Sequence, residues 1–543
     1  MNTHSRYIFS VVLGISILLS TPVFAIENIP KFHCPAPQTC VNFVNLNDVY
    51  EWKPYPNDMK GTLSRFSTYF KQVHERFPHA EMLFAGDLLS PSSDSQLTRG
   101  LHMVEALNHL GVKVATLGNH EFDFGKEAFV KAVQASHFPW LAANMEVLPT
   151  SGIEASLIKP YTLITQNGKR ILIFGLLTQE TLESNPVSDY LILHDPIETA
   201  QRLLPQWIQK EKPDAVIALT HLNIAEDRRL AQTVKGIDVI LGGHDHHQLL
   251  QVVNGVPIIK VDSDARTVGH LQLNFNPSPT QTKRFRRVPS SSIVEWHYEV
   301  TALTPDVFSA DTAFETAVLQ KTGANLAHLD QPVATLPMAW NTVQSAIRGV
   351  YSPTAQQICE ILRRYAQADI ALLNAGGIRA NRIIPAGTIT ERDILQILPF
   401  DNGLLRLEMS KADLEALIEQ GLSQQELEPN WGGYLHFSGV IAVVHPKPVK
   451  GKRIVALLNP ITNKPLDATK RYKVAVNSYL ASGGNGYESL KRLMEAQKTT
   501  AKVWQETQAT SLSKALRGLT TEELHTLMHD APTVQMLLSP LGS

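Results

Sequence analysis

Up to about Val300 the chain repeats one pattern, and that pattern leaves few folds open. A short apolar, β-prone run ends in a small polar cluster, and a helical or irregular connection follows. Val41 to Leu46 ends in Asn47-Asp48, Glu81 to Ala85 in Gly86-Asp87, and Val112 to Leu117 in Gly118-Asn119-His120-Glu121-Phe122-Asp123. Asp214 to Leu219 ends in Thr220-His221, and Ile237 to Leu241 in Gly242-Gly243-His244-Asp245-His246-His247. Ile171 to Leu177 is a further run, with no metal-type residue at its end. Runs of this length, broken by glycine or polar residues, read as buried strands. Gly100 to Leu110 and Glu198 to Lys210 read as helices between them, with Pro205 a kink point in the second. Strands alternating with helices predict a layered α/β domain. Its polar clusters then sit at strand ends, held by a rigid scaffold and open to solvent.

The rest of the chain is organised differently. Pro277 to Arg287 suits a loop, and Pro305 to His328 reads as a helical pattern that bridges to a second domain. That domain, about Gln331 to Ala509, mixes helices (Thr354 to Ala366, Lys411 to Gln420) with strands (Val440 to Val444, Tyr472 to Val476). The tail from Thr510 is helical and polar, interrupted by Pro532. At the other end, Arg6 precedes the apolar run Tyr7 to Leu19 and the small-residue site Val23-Phe24-Ala25. This is the pattern of a secretory signal peptide cleaved after Ala25; an uncleaved anchor is the alternative. No later segment is long and apolar enough to span a bilayer, so the expectation is a periplasmic or secreted protein with no stable membrane anchor after cleavage. In an oxidising compartment Cys34 and Cys40 are expected to pair, while Cys359 sits in a helical pattern as a small hydrophobe. A net charge of −2 gives no general basis for binding a nucleic acid polymer.

Singly, an Asp or His at a strand end is usually a turn or capping residue. Together, Asp48, Asp87, Asn119, His221, His244 and His246 end strands of one expected domain. If the sheets bring those ends to one rim, the ligands converge. Mixed carboxylate and imidazole donors suit first-row transition metals better than calcium. One bridging carboxylate such as Asp87 can serve two ions roughly 3.5–4 Å apart, the arrangement that activates water and neutralises charge in phosphoester hydrolysis.

The ordered set Asn47-Asp48, Gly86-Asp87, Gly118-Asn119-His120-Glu121, Thr220-His221 and Gly243-His244-Asp245-His246 resembles the calcineurin-like metallophosphoesterases, and in particular the 5'-nucleotidase / UDP-sugar hydrolase family. The resemblance implies an α/β fold: an N-terminal four-layer metallophosphoesterase β-sandwich flanked by helices, over 26–304, then a linker helix over 305–330. A C-terminal α+β substrate-binding domain over 331–515 and a helical tail over 516–543 complete it. It also implies two divalent metal ions (Zn, Mn, Co, Fe or Mg). Asp48 and His246 would bind one, Asn119, His221 and His244 the other, and Asp87 both. His120 would stabilise the phosphoryl group in the transition state, oriented by Asp123, for which a simple turn acid is the alternative. One departure stands out. The family usually has Asp-x-His in its first motif, and here the sequence is Asp48-Val49-Tyr50. A phenol with a pKa near 10 is a poor ligand at neutral pH. Either water or the Tyr50 oxygen completes that site, or its ion binds weakly.

The C-terminal motifs fit the same family. Asn374-Ala375-Gly376-Gly377-Ile378-Arg379 is similar to its substrate-binding loop, with Arg379 and Arg348 expected on phosphate and Asn374 near the base. A further Arg found in some members is Gln344 here. Leu398-Pro399-Phe400-Asp401-Asn402 and Asn477-Ser478-Tyr479 resemble the segments that clamp the nucleobase between two rings, Phe400 and Tyr479, with Asn402 in the same substrate set. Asn485 stands where the family's ribose-binding acid is usual. The expected activity is phosphate release from nucleoside 5'-monophosphates, extending to nucleotide sugars or di- and triphosphates. A 2',3'-cyclic phosphodiesterase with 3'-nucleotidase activity is an alternative within the family, and a catalytically weak nucleotide-binding protein is one outside it. The resemblance also implies a domain rotation hinged near Pro305 to His328. Oligomeric state is not legible in the sequence.

Overall fold

Strand Thr39–Leu46 shows why this chain needs four layers. Its side chains alternate, Val41 and Phe43 entering one apolar core, Val44 and Leu46 another. Both faces are buried, so the strand reads as a nearly continuous apolar run. The same division recurs in strand Glu81–Ala85 of the first sheet, and in strands Lys169–Leu177 and Ala215–His221 of a second. The computed structural model describes residues 28–54, 61–184, 187–276, 293–323, 326–349, 351–427, 431–445, 452–530 and 536–538. The signal-peptide expectation, the Pro277 to Arg287 loop and Pro532 lie outside these.

Two sheets of seven and six strands face each other. Val41, Phe43, Leu83, Ile171, Ile217 and Leu241 fill the space between them. Helices Thr62–Arg76, Leu101–Leu110 and Gly125–Ala135 cover the outer face of the seven-stranded sheet. Helices Pro196–Glu211 and Ile224–Thr233 cover the other. Helix Pro196–Glu211 continues through Pro205, which lies on its exposed side. The central strands of each sheet run parallel, so their carboxyl ends emerge at one rim.

The segment after these layers differs from the sequence reading. The helix expected over Pro305 to His328 covers only Thr312–Thr322, followed by a 3-10 turn at Ala327–Asp330. Asp311 caps it by accepting from the Phe314 N–H, and Gly323 ends it in the left-handed region. Phe314 and Val318 pack into the first core, and Asp311 pairs with Lys71, so the helix belongs structurally to the N-terminal layers.

The remaining chain forms a mixed five-stranded sheet with apolar cores on both faces. Helices Pro353–Tyr365 and Lys411–Leu427 pack on it. The tail is integral: Leu512, Leu516, Leu524 and Leu527 complete one of these cores. Near the start of the described chain, Cys34 and Cys40 form a disulfide, and Cys359 is free and buried. Among the described residues no helix is long and apolar enough to cross a membrane.

Candidate functional site

His221 ends strand Ala215–His221 in the inward register of Ile217 and Leu219, which aims its ring between the two sheets. Gly86 and Gly243 let the neighbouring loops close in. A Cβ on Gly86 would meet the His221 ring at 2.5 Å, and one on Gly243 the Ala85 carbonyl at 2.3 Å. Asp48 and Asp87 turn out of their strands in the left-handed region, which short polar side chains tolerate.

The result is a buried cluster in which Asp48, Asp87 and His221 each offer a ligand atom within 4.8 Å of the others. His221 Nε2 lies 3.2 Å from Asp87 Oδ2 and 3.9 Å from Asp48 Oδ1. His246 Nε2 is 3.2 Å from Asp48 Oδ1. The remaining Asp48 oxygen accepts from Asn47 Nδ2 (2.7 Å) and the His244 N–H (2.8 Å), which fixes the carboxylate plane. His244 stands edge-on to His221 at 5.2 Å, and its Nε2 lies 3.3 Å from Glu180 Oε2. Asn119 is buried in the adjoining 3-10 turn Asn119–Phe122. Its neighbour His120 gives its backbone N–H to Asp87 Oδ1 (2.9 Å), pairs Nδ1 with Asp123 Oδ2 at 2.8 Å, and points Nε2 at the cluster, 3.9 Å from Asp87 Oδ2.

These groups fit a cation. His221 Nδ1 donates to the Ala85 carbonyl at 2.8 Å, so a neutral imidazole faces Asp87 with the lone pair of Nε2. A lone pair opposite a carboxylate oxygen at 3.2 Å calls for a positive charge between them. Protons meet the same demand in its absence. Burial works against charge on His221, but the Asp87 and Asp48 carboxylates outweigh it and carry its pKa up to about 10. Burial likewise opposes the Asp87 charge, yet His221 and His120 hold that carboxyl far below its usual range. His120 is raised: burial opposes, and Asp123 then Asp87 prevail.

Two residues the sequence reading assigned no role hold this set in place. Glu121, inside the quoted motif, accepts from the backbone N–H groups of Gly118 (2.5 Å), Leu88 (2.5 Å) and Asp87 (3.1 Å), tying two loops together. Burial and the Asp87 charge raise it to about 7. Glu180, beside His244, lies three residues beyond strand Lys169–Leu177, the run credited with no metal-type residue at its end. Only a Gln-Glu pair in a loop marked it in the sequence.

The C-terminal part closes over the rim. Arg348, Arg379 and Gln344 line a cleft whose opposite wall includes Tyr50 and His246. Phe400 stacks on His120 (centroids 5.7 Å apart), and the Arg379 guanidinium lies 5.2 Å over the Phe400 ring. In this conformation Phe400 therefore covers His120. Tyr479 belongs to a separate polar group: its hydroxyl accepts from the Asn485 N–H (3.2 Å), Asn374 Nδ2 reaches Asn485 Oδ1 (3.4 Å), and Asn477 Nδ2 donates to Asn374 Oδ1 (2.9 Å). The Asn402 carbonyl accepts from the Gln508 N–H (2.6 Å), a backbone role. Across the junction, buried Arg392 pairs with Asp94, and Arg99 with Asp401 (2.5 Å).

Residues 41–248 match the calcineurin-like phosphoesterase family, and residues 332–492 match the 5'-nucleotidase C-terminal domain. The chain is 26% identical over 462 residues to the "Trifunctional nucleotide phosphoesterase protein YfkN" of Bacillus subtilis, covering 78% of this chain but 31% of that longer protein. It is 25% identical over 470 residues to "Protein UshA" of Yersinia enterocolitica, covering 78% and 81% of the two chains. A crystal structure of a 5'-nucleotidase precursor from Thermus thermophilus superposes with a TM-score of 0.77, at 24% identity, over 92% of this chain and all of that one.

Proposed function

Since the chain belongs to the calcineurin-like phosphoesterases that carry a 5'-nucleotidase C-terminal domain, a family of hydrolases acting on phosphoric monoesters, we propose that it releases phosphate from nucleoside 5'-monophosphates. The observation that carries this reading is the convergence of Asp48, Asp87 and His221 on one point, with His120 Nε2 3.9 Å from Asp87. Asp48 and His246 would hold one divalent ion, Asn119, His221 and His244 a second, and Asp87 would bridge them. When bound, such ions polarise the phosphoryl oxygens and lower the pKa of attacking water.

The chain's own side chains supply the rest. Asp123 fixes the His120 ring and favours its cationic form, so that Nε2–H can donate to a phosphoryl oxygen as charge builds in the transition state. Arg348 and Arg379 line the approach to the cluster and would grip the phosphate through charge-assisted hydrogen bonds. Substrate entry would exchange the Phe400–His120 stack for a stack of Phe400 on the nucleobase, with Tyr479 on the other face and the Asn374–Asn485 group near base and sugar. The Cys34–Cys40 disulfide supports a periplasmic or secreted setting. A second reading, a nucleotide-binding protein with weak turnover, draws support from Tyr50 standing where a His ligand is usual.

Phosphate release from AMP by chelator-stripped protein resupplied with Mn, Zn, Co or Mg tests the proposal. Turnover restored by a divalent ion, and reduced about 10²–10³-fold in His120→Ala, is expected from the loss of one transition-state donor. Binding of AMP without turnover under every metal would favour the second reading.

A further inference from the structure

Tyr50 is almost fully buried, and its hydroxyl sits among the groups assigned above to the first ion. Its Oη lies 3.0 Å from His246 Nε2, 3.2 Å from Asp87 Oδ2 and 3.4 Å from Asp48 Oδ1. His246 Nε2 is itself 3.2 Å from Asp48 Oδ1. These are four contacts among four electron-rich atoms. At most two protons, one on the phenol and one on His246 Nε2, are available to bridge them. Hydrogen bonding can meet all four only if the phenol proton is shared between Asp87 and Asp48 and the His246 proton between Tyr50 and Asp48, both weaker three-centre arrangements.

One cation at the centre satisfies all four. Tetrahedral metal–ligand bonds of about 2.0–2.1 Å place ligand atoms roughly 3.3–3.4 Å apart. Four of the six spacings of such a tetrahedron, the three from Tyr50 Oη and that between His246 and Asp48, lie at 3.0 to 3.4 Å, near that figure. From this geometry we infer that Tyr50 Oη is the fourth protein ligand of the first ion, with Asp48 Oδ1, Asp87 Oδ2 and His246 Nε2. The inference rests on the metal-dependent reading above. On binding, the O–H bond breaks, its proton leaves to solvent, and an Oη–metal bond forms.

The consequence is an asymmetric pair of sites. The first has three oxygen donors and one imidazole. The second, with His221 and His244, is richer in nitrogen. Hard oxygen donors favour hard ions such as Mn²⁺ or Fe³⁺, while imidazole suits zinc. The protein should therefore load two different ions in order, or one ion with two clearly separate affinities.

Equilibrium dialysis with Mn²⁺ and with Zn²⁺, on wild type, Tyr50→Phe and Tyr50→His, tests this without reference to turnover. Wild type should bind two ions per chain. Tyr50→Phe should keep one affinity and weaken the other about 10–100-fold, the loss typical of a disturbed ligand set. Tyr50→His should bind both, with preference at the first site shifted toward Zn²⁺. Loading wild type with Fe³⁺ gives a readout that needs no variant: a phenolate-to-iron charge-transfer band in the visible. Equal binding of both ions by wild type and Tyr50→Phe, or colourless iron-loaded wild type, would overturn the assignment while leaving the phosphohydrolase reading intact. Failure of wild type to bind any ion would instead remove the reading on which it rests.

Discussion

Lys260→Met combined with Asp227→Asn should weaken divalent-ion binding although it leaves the local charge beside the proposed metal site unchanged. Lys260 is 1% exposed at the end of strand Val256–Lys260. Its Nζ donates to the Leu222 carbonyl (2.6 Å), the Gly243 carbonyl (2.8 Å) and Asp245 Oδ2 (2.5 Å), and lies 2.8 Å from Asp227 Oδ2. Leu222 follows His221, and Gly243 and Asp245 flank His244, so one ammonium fastens the segments that carry the histidines proposed as ligands. Burial opposes its charge, but Asp227 and Asp245 more than compensate and hold its pKa above the usual range. Charge alone gives the opposite sign for the single change. At an effective dielectric of about 20, a unit charge repels a divalent ion by a few kcal/mol at separations on the order of 10 Å, so in Lys260→Met alone this gain offsets the positioning loss. Positioning predicts a loss of about 10–100-fold, or about 1.4–2.7 kcal/mol. Breaking the buried pair should also cost about 3–5 kcal/mol of stability. Lys260→Met combined with Asp227→Asn keeps the local charge of the Lys260, Asp227 and Asp245 group at −1 and softens that cost. Calorimetric titration with Mn²⁺, beside thermal melting of the chelated proteins, separates the terms. Unchanged or tighter binding in the double variant would refute the positioning argument.

Other expectations follow from the same geometry. Asp123→Asn should lower kcat about 10–100-fold with little change in KM, because the 2.8 Å pair orients and charges a group needed in the transition state; steady-state kinetics on AMP checks it. Arg392→Met should destabilise the protein by about 3–5 kcal/mol by leaving buried Asp94 without its cross-junction partner; denaturant unfolding measures this, and a change under about 0.5 kcal/mol would count against it. Burial lowers His270 to about 3, so the unfolded chain takes up a proton near pH 6.5 that the folded chain refuses. Stability from this group is present above about pH 6.5 and falls as pH drops toward 3, by about 1.4 kcal/mol per unit; wild type should lose about 2 kcal/mol between pH 7 and 5 that His270→Gln does not.

The layers, and the rim at which the polar clusters gather, are legible because strands buried on both faces read as unbroken apolar runs, each with its polar cluster attached. What was hidden depended on contacts between distant segments. The helix Thr312–Thr322 was overextended because its periodic pattern runs past the points where Asp311 and Gly323 stop it. Tyr50 announced itself as a departure, but its reach to His246 and Asp87 follows from the loop at Asp48, not from spacing. Glu180 and Lys260 carry no motif, and each acts on a histidine segment brought near only by the fold. Phe400 covering His120 depends on how the C-terminal part sits over the rim, which local sequence does not encode.

The most direct test is anomalous diffraction from crystals of the protein grown with Mn²⁺. Two peaks roughly 3.5–4 Å apart, with Asp87 between them, Tyr50 and His246 at one, and His221 and His244 at the other, are expected. A single peak, or peaks away from Asp87, would contradict the dinuclear site on which the proposed chemistry depends.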